Sequence, residues 1–276
     1  MTEKEIEFRK KREIGDIFTD SFEFIRQEFK PISKLMAVYV LPFMLLYGIV
    51  QVYLQKNVIG KFDLTDTETL LENIGPLYLN VFLFLLFGIF VQSLLIATYY
   101  SYIEVYVKKG KGNFDFAEIT PLLFSNGLLA IGASLVISII VMFGLILCFI
   151  PGIYFANTLS IAFIILIFEK KGLGNALIRS ALLVKLQWWN TFLINVVGLI
   201  IIWTVSLIMS IPSMIAGLSV NIFSQNQTPT EFPDWYWVLI GISTIVSSIL
   251  YIIPYTFLAF QYFNLEERSV ETFGKL

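Results

Sequence analysis

Apolar residues run along this chain in blocks of about twenty, without the strict alternation of a strand. At about 1.5 Å per helical residue, such a block crosses roughly 30 Å of hydrocarbon. Six spans are read, over residues 32–54, 76–107, 121–149, 151–169, 191–217 and 235–262. The roughly ten-residue alternating segments of a membrane barrel are absent. The pattern predicts an all-α polytopic membrane protein with six transmembrane helices, in a single integral membrane domain over residues 1–276.

Between the blocks the pattern changes. Pro151 and Gly152 mark a turn between spans three and four, with Pro151 placed in the first turn of the next helix. Pro42, Pro212 and Pro254 fall inside spans, where packed membrane helices tolerate them. Span two is too long for one upright crossing, so Tyr99, Tyr100, Tyr102 and Tyr106 are expected to form part of an interfacial aromatic belt.

Two polar stretches carry helical amphipathicity. After Gly172 and Gly174, a helix capped by Asn175 is expected, with Ala176, Leu177, Ala181, Leu182, Val184 and Leu186 on its apolar side. Arg179, Lys185 and Gln187 collect on another side, and Trp188 and Trp189 follow at headgroup level. Near the N-terminus, Ile17, Phe18, Phe22, Ile25 and Phe29 form a similar stripe. At an offset of 159 residues, Gly15 meets Gly174, Asp16 meets Asn175, Ser21 meets Ser180, Ile25 meets Val184, Arg26 meets Lys185 and Phe29 meets Trp188. The segment "KKGKGN" from Lys108 to Asn113 also matches "KKGLGN" from Lys170 to Asn175 in five of six positions. These likenesses predict three units, 1–107, 108–169 and 170–276, each an interfacial segment followed by a helical hairpin.

Composition agrees with the pattern. Hydrophobic residues make up 57% and charged residues 14%, with a mean hydropathy of +0.77, outside the range of soluble domains. Histidine is absent and Cys148 is the single cysteine, which removes the commonest metal ligands and any disulfide framework. The N-terminus lacks a signal-peptide apolar region, so it is expected to stay in the cytoplasm. With that orientation, 17 of the 19 lysines and arginines fall on the cytoplasmic side, leaving Lys56 and Lys61 outside. The positive-inside rule then places both termini in the cytoplasm.

"RKKREIGDIFTDSFEFIRQEFKP" and "IPGIYFANTLSIAFIILIFEKKGLGNALIRSALLVKLQWW" resemble an uncharacterised family of six-helix bacterial integral membrane proteins. That family is similar to the membrane domain fused to some glycerophosphodiester phosphodiesterases. The shared features fall at Pro151, Gly152, Glu169, Gly172, Ala176, Ser180, Leu183 and Trp188. The resemblance implies a six-helix architecture in the bacterial inner membrane. The phosphodiesterase barrel has no counterpart in the sequence, so hydrolase activity is not implied.

Candidate chemistry is sparse. "GLGN" lacks the preceding strand and the GxxxxGK[ST] spacing of a phosphate loop. Spans three and five carry no charge, and Glu104 and Glu169 lie near the ends of spans two and four. Glu169 is placed to pair with Arg179. The residues expected to engage lipid headgroups are Lys170, Lys171, Arg179, Lys185, Trp188 and Trp189. Asn157, Asn195, Glu104 and Glu169 are candidates to line a polar cavity, although polar residues in spans also serve to pack helices. Gln51, Asn80, Gln92, Ser243, Thr244, Ser247 and Ser248 admit the same two readings. No nucleophile–base pair and no metal or cofactor site is read. Basic residues on the cytoplasmic side exceed acids by only two, which argues against nucleic acid. The expected function is non-enzymatic, binding or organising lipids or serving as the membrane subunit of a larger assembly. The alternative is a permease for a small apolar or amphipathic solute.

Overall fold

The computed structural model describes residues 5–59, 67–223, 232 and 234–273, and over these the regular structure is helical. In order, the α-helices are α1 (Ile14–Gln27), α2 (Phe29–Tyr39), α3 (Leu41–Leu54), α4 (Thr67–Lys109), α5 (Phe116–Leu147) and α6 (Phe149–Thr158). They continue with α7 (Ala162–Glu169), α8 (Leu173–Leu186), α9 (Trp188–Phe223), α10 (Asp234–Leu250) and α11 (Ile252–Phe273). Lys4, Lys61, Glu231 and Lys275, which enter the orientation argument, lie outside the described residues.

Five stretches are long and apolar enough to cross a membrane: Ile74–Lys109, Phe116–Leu147, Phe149–Glu169, Trp188–Ala216 and Asp234–Glu271. The pair α2 and α3 makes a sixth if counted as one broken span. Large apolar side chains remain open along them, including Leu147 at 80%, Phe124 at 76% and Trp203 at 72% exposure. Water does not tolerate contiguous apolar surface of this extent, whereas hydrocarbon does. The chain is an all-α, multi-pass membrane protein.

Three prolines decide where helices stop. Proline has no N–H, and its ring collides with the carbonyl four residues back. The positions four residues before Pro151 and Pro254 are Leu147 and Leu250, the last residues of α5 and α10. Pro42 stands three residues beyond Tyr39, the end of α2. Pro42 and Pro254 therefore break spans rather than sitting inside them, while Pro212 is carried within α9. Span four is also broken, between Thr158 and Ala162, without a proline.

The chain forms two compact units of discontinuous segments: a larger one of residues 1–40, 92–200 and 251–276, and a smaller one of 41–91 and 201–250. The three sequence units do not follow this division.

In the smaller unit, α3 packs on α10. Gly48 lets the two backbones approach, since a Cβ there would stand 3.3 Å from the Gly241 carbonyl oxygen. Thr244 donates to Gln51 across the contact, and the Ser206 and Ser247 hydroxyls bond at 3.0 Å. Ser243 and Ser248 bond carbonyls of their own helix, as Asn80 does. Gln51, Thr244, Ser206 and Ser247 thus knit helices together, the use such residues have where water is absent.

In the larger unit, α5 and α6 form a tight hairpin about extended Cys148 (φ −170°). The hairpin closes on two glycines. A Cβ on Gly144 would meet Gly152 Cα at 2.9 Å, and one on Gly152 would meet the Leu145 backbone nitrogen at 2.8 Å. Helices α1 and α8 both pack on α11. The 159-residue offset carries Ile14–Gln27 onto Leu173–Leu186 end to end. Buried Ile17, Ser21 and Phe24 fall on buried Ala176, Ser180 and Leu183. Each helix stops at one residue, Glu28 or Gln187, before the next helix begins. The likeness thus extends to the same buried face and the same corner. The middle expected segment differs, because α5 runs unbroken from Phe116 to Leu147 with no separate helix before the span.

The expected aromatic belt is instead core. Tyr99, Tyr100, Tyr102 and Tyr106 are each at most 2% exposed. The Tyr99 and Thr256 hydroxyls bond each other, and Tyr102 donates to Glu28. Neighbouring helices cover this face of α4, a fact that spacing along one helix does not reveal.

Candidate functional site

The charged end of the larger unit is built on two carboxylates. Glu104, on α4, is 1% exposed. One oxygen accepts from Lys108 Nζ at 2.7 Å, one helical turn away, and the other from Lys170 Nζ at 3.0 Å. Lys170 also donates to Asn126 Oδ1 at 3.0 Å, and Asn126 Nδ2 donates to Ser101 Oγ at 2.7 Å. Lys170 caps α7 in the left-handed conformation, with φ at +52°. That geometry costs a non-glycine residue about 1 kcal/mol, and the side chain's two bonds offset it. It also turns Lys170 toward Glu104 while the next residue turns the other way.

Glu169, the last residue of α7, collects the rest. Arg179 donates to its Oε1, as does the Tyr262 hydroxyl at 3.1 Å, and Lys171 stands 2.9 Å from its Oε2. The expected Glu169–Arg179 pair is present and ties α7 to α8. Helix α8 begins with Gly172 as its N-cap, so Asn175 lies within the first turn rather than capping it.

The ten predicted site residues thus divide. Lys170, Lys171 and Arg179 are held by Glu104 and Glu169. Lys185 is exposed and has no ion-pair partner among the described residues. Trp188 is packed inward, stacked on Tyr154 and Phe192 with centroids 5.8 and 5.3 Å away, and its Nε1 donates to Thr158 Oγ1 at 3.3 Å. Trp189 is 73% exposed. Asn195 donates to Asn157 Oδ1 at 2.9 Å, and Asn157 in turn donates to the Trp188 carbonyl at 3.2 Å. Both asparagines therefore tie α6 to α9, and at the break in span four Ser180 Oγ donates to the freed Thr158 carbonyl at 2.7 Å.

Helix α8 consequently faces two ways. Ala176, Ser180, Leu183 and Val184 are buried, while Ile178 and Leu182 are 62% and 52% exposed. The expected apolar side is thus divided, with Ala176 and Val184 packed inward and Leu182 pointing outward. Lys185 follows these two apolar residues at helical spacing, with Trp189 just beyond the corner. Close by in the same unit, Lys108 and Lys170 face Glu104 while Lys171 and Arg179 face Glu169, so each of these carboxylates meets two cations. Each ammonium has three donors, and Lys108, Lys170 and Lys171 remain 63%, 44% and 44% exposed beside their partners. Such a surface can accept an anionic group without dismantling its internal pairs.

Some participants gave no usable signal in the sequence. Arg12, one of five cations in a charged N-terminal run, is 3% exposed and lies 4.6 Å from the Phe260 ring centre. It donates to Asp20 at 2.7 Å and to the Phe8 carbonyl at 2.8 Å. Arg268 Nη2 donates to the Arg12 carbonyl at 2.9 Å, so the N-terminal segment is docked on α11. Asn126, Gln261 and Asn264 are likewise buried and bonded. A polar residue inside an apolar run flags Asn126, but composition cannot say which of many terminal cations goes inside. No family model, curated protein or solved structure matches the chain.

Proposed function

We propose that this is a non-enzymatic bacterial inner-membrane protein that binds and organises anionic lipid, alone or as the membrane subunit of an assembly, with both termini cytoplasmic. The observation that carries the reading is the two-faced α8. Its inner face is fixed to α7 and α11, and its outer face offers Ile178 and Leu182 to acyl chains and Lys185 to a phosphate, with Trp189 beside them. Lys170, Lys171 and Arg179 supply the positive field behind it.

The test is native mass spectrometry of protein extracted in polymer discs, comparing wild type with Lys185→Glu combined with Trp189→Ala. Both side chains are exposed, so the fold is expected to survive. Phosphatidylglycerol retained at fixed stoichiometry by wild type and reduced at least fivefold in the variant supports the reading. Equal retention by both refutes it.

A permease is the second reading, favoured by the interrupted spans at Val40, Ser160 and Tyr251, since broken helices are used as moving parts in transporters. Solute flux in vesicles that is lost in Asn157→Leu would support it over a lipid-organising role.

A further inference from the structure

We infer that a second anionic phospholipid docks at the corner between α1 and α2, so that each chain holds two, one at each of its matching corners. The inference deepens the lipid reading above and rests on it.

Helix α2 is two-faced, as α8 is. Ile32, Leu35 and Met36 are buried, while Lys30, Ser33, Lys34, Ala37 and Val38 are exposed at helical spacing. Its sequence, FKPISKLMAVY, holds two lysines and no acid. Neither lysine has an ion-pair partner among the described residues. Phe29, which opens the helix, is 63% exposed, and Phe22 on α1 is 47% exposed. Arg26 lies one helical turn beyond Phe22, with its side chain 74% exposed, and donates to Glu23 Oε1 at 2.7 Å. A guanidinium with five donors can keep that bond and still grip a phosphate.

Position selects the membrane surface as occupant. Helix α2 opens the broken span that starts at Phe29, so this corner is where the chain enters hydrocarbon. Lys34 lies about 6 Å further along the helix than Lys30, and its Nζ stands 5.0 Å from the Phe116 ring centre. The aliphatic stems let both ammonium groups reach back to headgroup level. Open lysines with no acid on their own helix complement an anionic headgroup, and the open phenylalanines suit the acyl chains beneath it. A zwitterionic headgroup leaves part of that charge unmatched.

The internal likeness makes the two corners counterparts. The 159-residue offset sets Arg26 on Lys185 and Phe29 on Trp188, the first residues of two spans. One residue, Glu28 or Gln187, makes each corner. Each corner thus has a cation three residues before its span and an open ring at the start of it. That ring is Phe29 at the first corner and Trp189 at the second, where Trp188 is half-buried.

The experiment titrates lipid-stripped full-length protein in detergent with short-chain phosphatidylglycerol and counts bound lipids by native mass spectrometry. Wild type is expected to saturate at two. Arg26→Gln combined with Lys30→Gln and Lys34→Gln should weaken one of the two at least fivefold and leave the other. Saturation of wild type at one lipid, or two unchanged affinities in the glutamine variant, overturns the second site. Equal uptake of phosphatidylcholine by wild type overturns its anionic character. Should the glutamine variant fail to fold, Phe29→Ala, which keeps every charge, takes its place, with one weakened lipid expected and two unchanged ones overturning. Lys185→Glu combined with Trp189→Ala is titrated alongside. Loss of a lipid only in that variant overturns the second site and leaves the α8 reading standing. Loss only in the glutamine variant upholds the α1–α2 corner and refutes the α8 assignment.

Discussion

Alanine at position 152 should destabilise the protein although alanine is the better helix former. In the α5–α6 hairpin a Cβ on Gly152 would lie 2.5 Å from Leu145 Cγ and 2.8 Å from the Leu145 backbone nitrogen. Leucine can change rotamer, but the backbone nitrogen can retreat only if the two helices separate. Such overpacking costs about 1–3 kcal/mol, while replacing glycine by alanine in a helix gains about 1 kcal/mol. Gly132, in the middle of α5 with nothing within 4 Å of its built Cβ, isolates the second effect. Subtracting Gly132→Ala from Gly152→Ala cancels the propensity gain and leaves the packing cost. At roughly 2–4 °C per kcal/mol for a chain of this size, Gly132→Ala should melt at or above wild type. Gly152→Ala should melt about 2–12 °C below that control, in thermal scans in one detergent at matched protein concentration. Equal melting temperatures for the two variants would refute the claim that glycine sets the approach of these helices.

Two further measurements probe the charged end. Lys170→Met loses the bonds to Glu104 and Asn126 while keeping the left-handed strain, whereas Lys170→Gly loses the bonds and relieves the strain. The glycine variant should be the more stable by about 1 kcal/mol, and a chemical-denaturation midpoint no higher than that of Lys170→Met would count against this account. On α1, bonds from Gln27 at 2.9 Å and Arg26 at 2.7 Å hold the Glu23 carboxyl below its ordinary value of 4.5. A depressed folded-state value stabilises above the unfolded value and is lost as pH falls through the folded one. A carboxyl NMR titration should therefore place the Glu23 midpoint below 4.5 and move it upward in Gln27→Leu; a wild-type midpoint at or above 4.5 contradicts the bonding.

Much of the architecture was legible because hydrocarbon imposes few solutions on a chain. Blocks of about twenty apolar residues have to become helices that satisfy their own backbone, and the spans fall close to where those blocks lie. The 159-residue offset also had a physical content, since α1 and α8 begin and end at matching positions and bury matching faces. Proline positions marked the breaks near Val40 and Tyr251, but a membrane helix can also carry a proline, as Pro212 shows. One-dimensional pattern does not distinguish these outcomes.

The candidate site was legible only in its residue types. Glu104, Glu169, Lys170, Lys171 and Arg179 stand out as charges at span ends, yet which cation meets which acid depends on three helices arriving together. The left-handed turn at Lys170 sends neighbouring lysines to different carboxylates. The sequence by itself determined that this chain is helical, where its apolar spans lie, and that two segments share one amphipathic pattern, because solvent transfer and backbone chemistry act locally. Tertiary structure alone decided that Trp188 is half-buried against neighbouring rings while Trp189 is open, that the tyrosines of α4 are interior, and that Glu28 keeps an oxygen without a hydrogen-bond donor. Burial and hydrogen-bond satisfaction belong to the neighbours a side chain meets, and those neighbours come from residues far away in the chain.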